Sequence, residues 1–232
     1  MNSSGVLTCL LTALIAGEAC QTRTVAPDPA GYDYFPLQTG HYIVYDVQEQ
    51  RYLPGATIPV DRTYQLKEVV GAAYTDITGQ QAYRLLRYHR QADGKPWQTD
   101  SIWSARQTDS EAIRTENGLD FVNLRFPVSD RLRWNGNRYN ALGNDEYEVR
   151  NSQQPYRVSD KQFSETVTVV VQEDSTLLAQ DKRMDVYARA LGLIYKERIR
   201  LQYCATTPTC IGQYQIDYGI RQIYRIRSSG SE

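Results

Sequence analysis

Residues 193–203 read LIYKERIRLQY, and their pattern of side chains indicates the class of the fold. Apolar and polar side chains alternate along it with a period of two, as in a β-strand with one buried and one solvated face. The buried face is predicted to carry Leu193, Tyr195, Ile199, Leu201 and Tyr203, and the solvated face Lys196, Arg198, Arg200 and Gln202. Such a strand fits an antiparallel sheet with one wet face.

The same alternation recurs elsewhere, for example in TVTVVV at residues 166–171 and IRQIYRIR at 220–227. Turn-forming pairs punctuate these runs, namely Pro54-Gly55, Asp93-Gly94, Asn117-Gly118 and Asn135-Gly136. Their spacing indicates hairpins rather than crossovers, and only residues 174–183 look mildly helical. We therefore predict one all-β antiparallel domain over residues 31–232, either a curved half-open sheet or an up-and-down barrel, with a sandwich as second choice.

Composition supports a single globular domain. The 232 residues are 41% hydrophobic and 23% charged, which excludes a largely disordered chain. Lys and Arg number 26 against 27 Asp and Glu, so no electrostatic footprint for nucleic acid is present. Tyrosine is unusually frequent, with 18 residues against 4 phenylalanines, and tyrosine favours half-buried strand surfaces.

The N-terminus has the features of an export signal. Residues 6–16 read VLTCLLTALIA and form one uncharged apolar run. As a helix this run would extend roughly 16 Å, about half of a bilayer core, which is too short to span a membrane and is typical of a signal peptide. We predict that residues 1–19 are a signal peptide.

The junction after this run resembles the acylation site of bacterial lipoproteins, because Cys20 directly follows the small residue Ala19. The resemblance implies that Cys20 becomes the acylated first residue of the mature protein and attaches it to a membrane. Residues 20–30, which include Pro27 and Pro29, would form the tether. By analogy with enteric sorting rules, Gln21 is not an inner-membrane retention residue, which favours the outer membrane. No acidic run follows Cys20, which favours the periplasmic side of that membrane. The alternative is an ordinary signal peptide cut near Ala19, with Cys20 incidental.

Two further cysteines, Cys204 and Cys210, flank a polar loop that contains Pro208. Because strand-like runs lie on both sides of the loop, the two thiols are expected to meet across its base. In an oxidising compartment they should form a disulfide. A redox pair or half of a metal site is the alternative, although neither a CxxC spacing nor a neighbouring histidine supports it.

Three segments resemble uncharacterised Bacteroidota-type cell-envelope lipoproteins: residues 34–45 (YFPLQTGHYIVY), 132–137 (LRWNGN) and 186–197 (VYARALGLIYKE). The resemblance extends over the predicted domain from Tyr34 to its end. It implies export and a lipid anchor. It supplies no activity and no catalytic residues.

No catalytic pattern stands out. The two histidines, His41 and His89, lie far apart in strand-like runs, and no nucleophile, phosphate-binding or metal-ligand motif is present. We predict neither a metal nor another cofactor. Trp97 and Trp134 lie beside turns, where an exposed indole could stack on a sugar, although packing of the rings against the sheet is the simpler interpretation.

The sequence therefore favours an exported, lipid-anchored, non-enzymatic binding or structural module, whose partner is the membrane and whose ligand is a lipid or a glycan. A carrier of lipid or of another apolar molecule within a curved sheet is the first alternative, and a glycan hydrolase is the second. A large apolar cavity would favour the carrier. Clustered carboxyl groups with raised pKa values would favour the hydrolase. The oligomeric state does not follow from the sequence.

Overall fold

The structure is a computed structural model and describes residues 28–56 and 58–232. The predicted signal peptide, Cys20 and most of the tether lie outside the described residues. A short 3-10 helix at Tyr32–Tyr34 precedes twelve strands. The strands are β1 His41–Tyr52, β2 Val60–Thr75, β3 Gln81–Arg90, β4 Gln98–Gln107, β5 Glu111–Glu116, β6 Leu119–Arg125, β7 Arg133–Asn135, β8 Glu146–Val158, β9 Lys161–Ser175, β10 Ala179–Ala188, β11 Gly192–Tyr203 and β12 Ile216–Ser231. The all-β prediction is confirmed.

All twelve strands belong to one antiparallel sheet with the order β6-β5-β4-β3-β2-β1-β12-β11-β10-β9-β8-β7. The first six and the last six strands form two meanders, and the pairing of β1 with β12 joins them. Tyr45 of β1 lies opposite Ile226 of β12 in this ladder. The sheet is therefore an up-and-down arrangement rather than a sandwich.

Curvature brings the two edge strands, β6 and β7, towards each other, so the sheet is nearly closed into a barrel. The backbone N–H of Val122 in β6 donates to the carbonyl of Gly136 over 2.9 Å. The indole Nε1 of Trp134 in β7 donates to the carbonyl of Val122 over 2.7 Å. These bonds occupy backbone groups of β6 that would otherwise form an open sheet edge.

Local chemistry explains the hairpins. Asn117 and Gly118 connect β5 to β6 with φ angles of 51° and 82°, the left-handed pair that a two-residue turn of the mirror-image type I requires. The mildly helical prediction for residues 174–183 is wrong. Asp174 of β9 instead lies opposite Asp181 of β10, because antiparallel pairing outweighs the weak local preference.

One end of the barrel is closed by an apolar plug. Tyr34 and Phe35, at the 3-10 helix, are buried, and the ring of Tyr32 packs edge-on against Phe126 with centroids 4.7 Å apart. The same cluster contains the inward-facing Val70, Leu85, Ala105, Leu124, Val149, Val167 and Val169. Burial stabilises the fold by about 1.5–3 kcal/mol for each large apolar side chain. We call this the plugged end, and the opposite end the open end.

A hairpin covers part of the outer surface. Val158, Tyr156 and Phe163, near the tip of β8–β9, pack in a second cluster with Val186 and Tyr195 of β10 and β11. The rings of Tyr156 and Tyr195 lie 5.9 Å apart. Outward-facing apolar side chains of β10 and β11 are thus shielded from water.

We predict that Trp134→Phe lowers the free energy of unfolding by about 1–3 kcal/mol, because it leaves the buried Val122 carbonyl without the indole donor. Chemical denaturation measures this change. Trp97→Phe is the matched control, since the Trp97 ring is half-buried and lies under Arg90, 4.4 Å from its guanidinium carbon. If both variants lose the same free energy of unfolding, the hydrogen bond between β6 and β7 adds no stability beyond the loss of indole packing.

Candidate functional site

The charged face of β11 points into the barrel, so the prediction of a solvated face is wrong for Lys196 and Arg198, whereas Leu201 and Tyr203 are buried as predicted. Lys196, Arg198 and Arg200 line an interior cavity together with Phe121 and Asn123 of β6. Strands β6 and β11 are not neighbours in the sheet, so side chains of both can line one cavity only across the interior. The charged residues therefore lie inside the barrel rather than in bulk water.

An irregularity in the ladder explains why simple alternation fails. Val186 of β10 lies opposite Tyr195, whereas the next residue, Tyr187, lies opposite Leu193. This β-bulge at Ile194 places one extra residue in β11 and changes which side chains point inward. Leu193 packs with the interior cluster, while Tyr195 contacts the covering hairpin on the outside. Beyond the bulge, the alternation places the charged residues inside.

The cavity has a volume of about 620 Å³ and lies towards the open end. Its walls come from strand ends remote from the plug and from the loop between β7 and β8. The lining residues are Glu116, Phe121, Asn123, Asn137, Leu142, Asn144, Asp145, Tyr147, Val171, Arg183, Lys196, Arg198, Arg200 and Ile220. Two of them, the Arg200 side chain and Leu142, are each 61% exposed, so the cavity is open to solvent.

Most cations around the cavity have carboxylate partners. Arg198 binds the buried Asp185, with its Nη1 2.9 Å from Oδ1 and its Nη2 3.0 Å from Oδ2. Arg183 binds Asp145 at 2.8 Å and Asp181 at 2.7 Å. Paired and hydrogen-bonded charges of this kind are the form in which ionic groups persist in a protein interior.

A second group of ion pairs extends the network towards β2 and β5. Arg114, which is buried, forms two hydrogen bonds with Glu68, at 3.0 and 2.6 Å. The Arg114 Nε also lies 3.2 Å from Glu116. Arg87 lies 3.5 Å from Glu68 and covers the ring of Trp103 at 3.6 Å. The interior of the barrel beyond the plug is therefore charged as well as apolar.

Lys196 differs from these cations. Among residues 28–56 and 58–232, no carboxylate oxygen lies within 4.0 Å of its Nζ, and its ammonium forms no hydrogen bond. Burial lowers the pKa of Lys196, and the nearby positive charge of Arg198 lowers it further, while Glu116 and Asp185 act in the opposite direction. Lys196 is therefore the cation best placed to bind an anion that enters the cavity.

The neighbouring carboxyl groups remain ionised. Burial opposes ionisation of Asp185, but the charges of Arg198 and Lys196 outweigh it and hold the pKa below the usual range. The pKa of Glu116 is also lowered, because Lys196, Arg114 and Arg198 outweigh the effect of burial. A glycosidase general acid needs a raised pKa, so neither residue fits that role.

The structure places the tryptophans predicted for ligand stacking away from any shared site. Trp134 is only 6% exposed and its indole N–H donates to the carbonyl of Val122, so this ring packs in the core, as the simpler interpretation of the sequence has it. Trp97 is half-buried under Arg90 and does not line the cavity. Its role in stacking stays a prediction.

The structure contains a disulfide between Cys204 and Cys210, whose Cα atoms are 5.7 Å apart in the loop between β11 and β12. Cys20, predicted to be acylated, lies outside the described residues. Within residues 28–56 and 58–232, no cluster of three or more His, Cys, Asp or Glu side chains is arranged to hold a metal ion. In the same part of the chain, no helix is long and apolar enough to cross a membrane.

Sequence reasoning missed the cavity, although one signal for it exists. Asp185 and Asp181 of β10 lie opposite Lys196 and Arg200 of β11. Residues of opposite charge that face each other across a hairpin stabilise it on either face of a sheet, whether that face is buried or exposed. The pattern therefore indicates pairing, and only the closure of the barrel shows that this face lies inside.

Comparison with known proteins identifies no family. No protein-family model matches the chain, and no curated protein matches it. One solved structure, named "putative lipoprotein" from Parabacteroides distasonis, is similar over 88% of this chain and 100% of its own, with 9% identity and a TM-score of 0.41. This likeness is too distant to carry a conclusion about the function of the present chain.

We predict that Asp185→Asn lowers the free energy of unfolding at pH 7 by about 3–5 kcal/mol, because Arg198 loses its buried counter-ion. The lowered pKa of Asp185 means that its contribution is present above the unfolded-state value of about 3.9 and is lost as pH falls below it. Denaturation at several pH values should show the two proteins converging in acid. Asp160→Asn, in an exposed turn, is the control and should have no such effect.

Proposed function

We propose that this protein is an exported, lipid-anchored envelope protein that acts as a non-enzymatic binding module, with its ligand held in the cavity at the open end of the barrel. The observation that carries the proposal is Lys196, a half-buried cation that has no carboxylate partner among the described residues and lines a solvent-open cavity of about 620 Å³. Cavities of this size hold small organic ligands.

The contrast between the two ends of the barrel supports binding over a purely structural role. At the plugged end the chain fills the interior with buried apolar side chains. At the open end it keeps four cationic and two acidic residues on the cavity wall. Buried charges are costly compared with apolar packing, and a ligand-binding role accounts for their presence.

A lipid carrier has less support. The pocket beside Phe35, Tyr45 and Leu85 has a volume of about 40 Å³, enough for roughly one water molecule and far too small for an acyl chain. The larger cavity has charged walls, which acyl chains avoid. A glycan hydrolase also has less support, since Glu116 and Asp185 have lowered pKa values.

The chain enters the domain at the plugged end, and this supports an orientation in which the plugged end of the barrel lies nearest the anchor. The carbonyl of Asp28 accepts a hydrogen bond from Arg189 at 2.9 Å, and that of Ala30 accepts one from Val128 at 2.9 Å, both at the plugged end. The tether from Cys20 to Asp28 can span at most about 30 Å. An anchor at Cys20 therefore keeps the plugged end near the membrane, on its periplasmic side in this proposal, and directs the cavity away from it.

Cys20→Ser should abolish acylation, so the variant should move from the detergent phase to the aqueous phase on Triton X-114 partitioning. Cys9→Ser is the matched control, because Cys9 lies within the predicted signal peptide and is removed with it. This control should partition as the wild type does. If wild type and Cys20→Ser both remain aqueous, the protein has no lipid anchor at this position.

Filling the cavity should abolish ligand binding. Ile220 lines the cavity, so Ile220→Trp places a large ring in it, while Ile223→Trp adds the same ring on the outer face of β12. We expect a thermal-shift screen with neutral sugars, sugar acids, amino acids and fatty acids to find compounds that stabilise wild type and Ile223→Trp but leave Ile220→Trp unchanged. A ligand at 100 times its Kd adds about 2.7 kcal/mol, a shift of several degrees.

Two results of this screen count against the proposed function. One is a panel in which no compound raises the melting temperature of the wild type. The other is stabilisation of Ile220→Trp to the same extent as wild type, which would place binding outside the cavity.

A further inference from the structure

We propose that the ligand of this cavity carries a single carboxylate on a hydroxyl-rich body, as an acidic sugar does, and that this carboxylate pairs with the Nζ of Lys196. The inference rests on the proposed binding function and adds the chemical class of the ligand and the residue that selects it.

The pairing of the cations on the cavity wall determines the charge of the ligand. Arg183 and Arg198 each bind carboxylates within 3.0 Å, and Arg200 lies 3.6 Å from Asp181. Lys196 alone among the lining cations has no carboxylate oxygen within 4.0 Å in the described part of the chain. One cation without a partner accommodates one negatively charged group.

The geometry of the donors favours a carboxylate over a phosphate. Phosphate is typically bound by several donors, and the planar fork of arginine is the best of these. Here the forks of Arg183 and Arg198 are already occupied by Asp145 and Asp185. A dianion would also face the carboxyl groups of Glu116 and Asp145 on the same wall. Lys196 provides a compact point charge that fits one carboxylate.

The rest of the wall suits a hydroxyl-rich body. The side-chain amides of Asn123, Asn137 and Asn144 line the cavity, and an amide offers both a donor and an acceptor, as hydroxyl groups require. Asn123 is buried, and its Oδ1 accepts no hydrogen bond from the described residues. The rings of Phe121 and Tyr147 supply apolar surface beside the amides. A fatty acid would leave these amides without partners.

The titration of Lys196 supports the same assignment. The charged groups that face it are Arg198 on its own strand, Asp185 on β10, and Arg114 and Glu116 on β5. A bound carboxylate stabilises the ammonium form, so it raises the lowered pKa of Lys196. Affinity should therefore fall as pH rises through the pKa of Lys196 in the free protein, which lies below the usual lysine value of 10.5.

The experiment compares acids with their neutral amides by isothermal titration calorimetry. The probes are D-glucuronate with D-glucuronamide, D-galacturonate with D-galacturonamide, and inorganic phosphate. We expect at least one uronate to bind wild type at least about tenfold more tightly than its amide and than phosphate, the difference that one charge-assisted hydrogen bond makes. Lys196→Met should abolish this preference.

Lys182→Met is the matched control, because Lys182 lies on the adjacent strand with its ammonium 3.0 Å from Glu197 on the outer face. It should bind the uronate as wild type does. Lys196→Arg keeps the charge and should retain the preference for acid over amide, which provides a test even if Lys196→Met does not fold. Circular dichroism and melting temperature check the fold of each variant.

Four outcomes would overturn the inference: equal affinity for acid and amide, tighter binding of phosphate, an unchanged preference in Lys196→Met, or no binding of either uronate. If other compounds still stabilise wild type and Ile223→Trp but not Ile220→Trp, the cavity remains a binding site and only the assigned ligand class is wrong. If Ile220→Trp binds the same compounds as wild type, the proposed function itself fails.

Discussion

The antiparallel ladder between β1 and β12 is the interaction on which the rest of the structure depends. It pairs the first strand with the last over twelve positions, from His41 opposite Ser231 to Tyr52 opposite Gly219. Without it the chain would be two separate meanders of six strands, each with an exposed edge and an uncovered apolar face. The ladder joins residues that are 167 positions (Tyr52 and Gly219) to 190 positions (His41 and Ser231) apart, so its loop-closure cost must be met before either meander is covered.

The candidate site is a consequence of this ladder. Phe121 and Asn123 come from the first meander, whereas Lys196 and Arg198 come from the second. The hydrogen bond from Asn123 of β6 to the hydroxyl of Tyr187 in β10, 3.4 Å long, crosses the interior between strands that are not neighbours in the sheet. Binding and folding are therefore linked, because the two walls of the cavity meet only when the sheet has curled round.

The apolar part and the charged part of the barrel interior have different roles. The plug around Tyr34 and Phe35 provides the dry packing that stabilises the fold. Beyond it, the pairs of Arg114 with Glu68 and of Arg198 with Asp185 keep charges in a region of low dielectric, where an unpaired partner is strongly disfavoured. Such a network holds its members in fixed positions, which is the preorganisation that a selective binding site requires.

The class of the fold is readable from local patterns, because period-two alternation and the Asn117-Gly118 turn act over a few neighbouring residues. The segment 193–203 is correctly predicted as a strand, and the loop between Cys204 and Cys210 as disulfide-bonded. Which face of β11 lies inside depends instead on contacts between distant parts of the chain. Alternation is symmetric between the two faces of a sheet, and the choice depends on the bulge opposite Val186, on the covering hairpin and on the distant strands that complete the barrel.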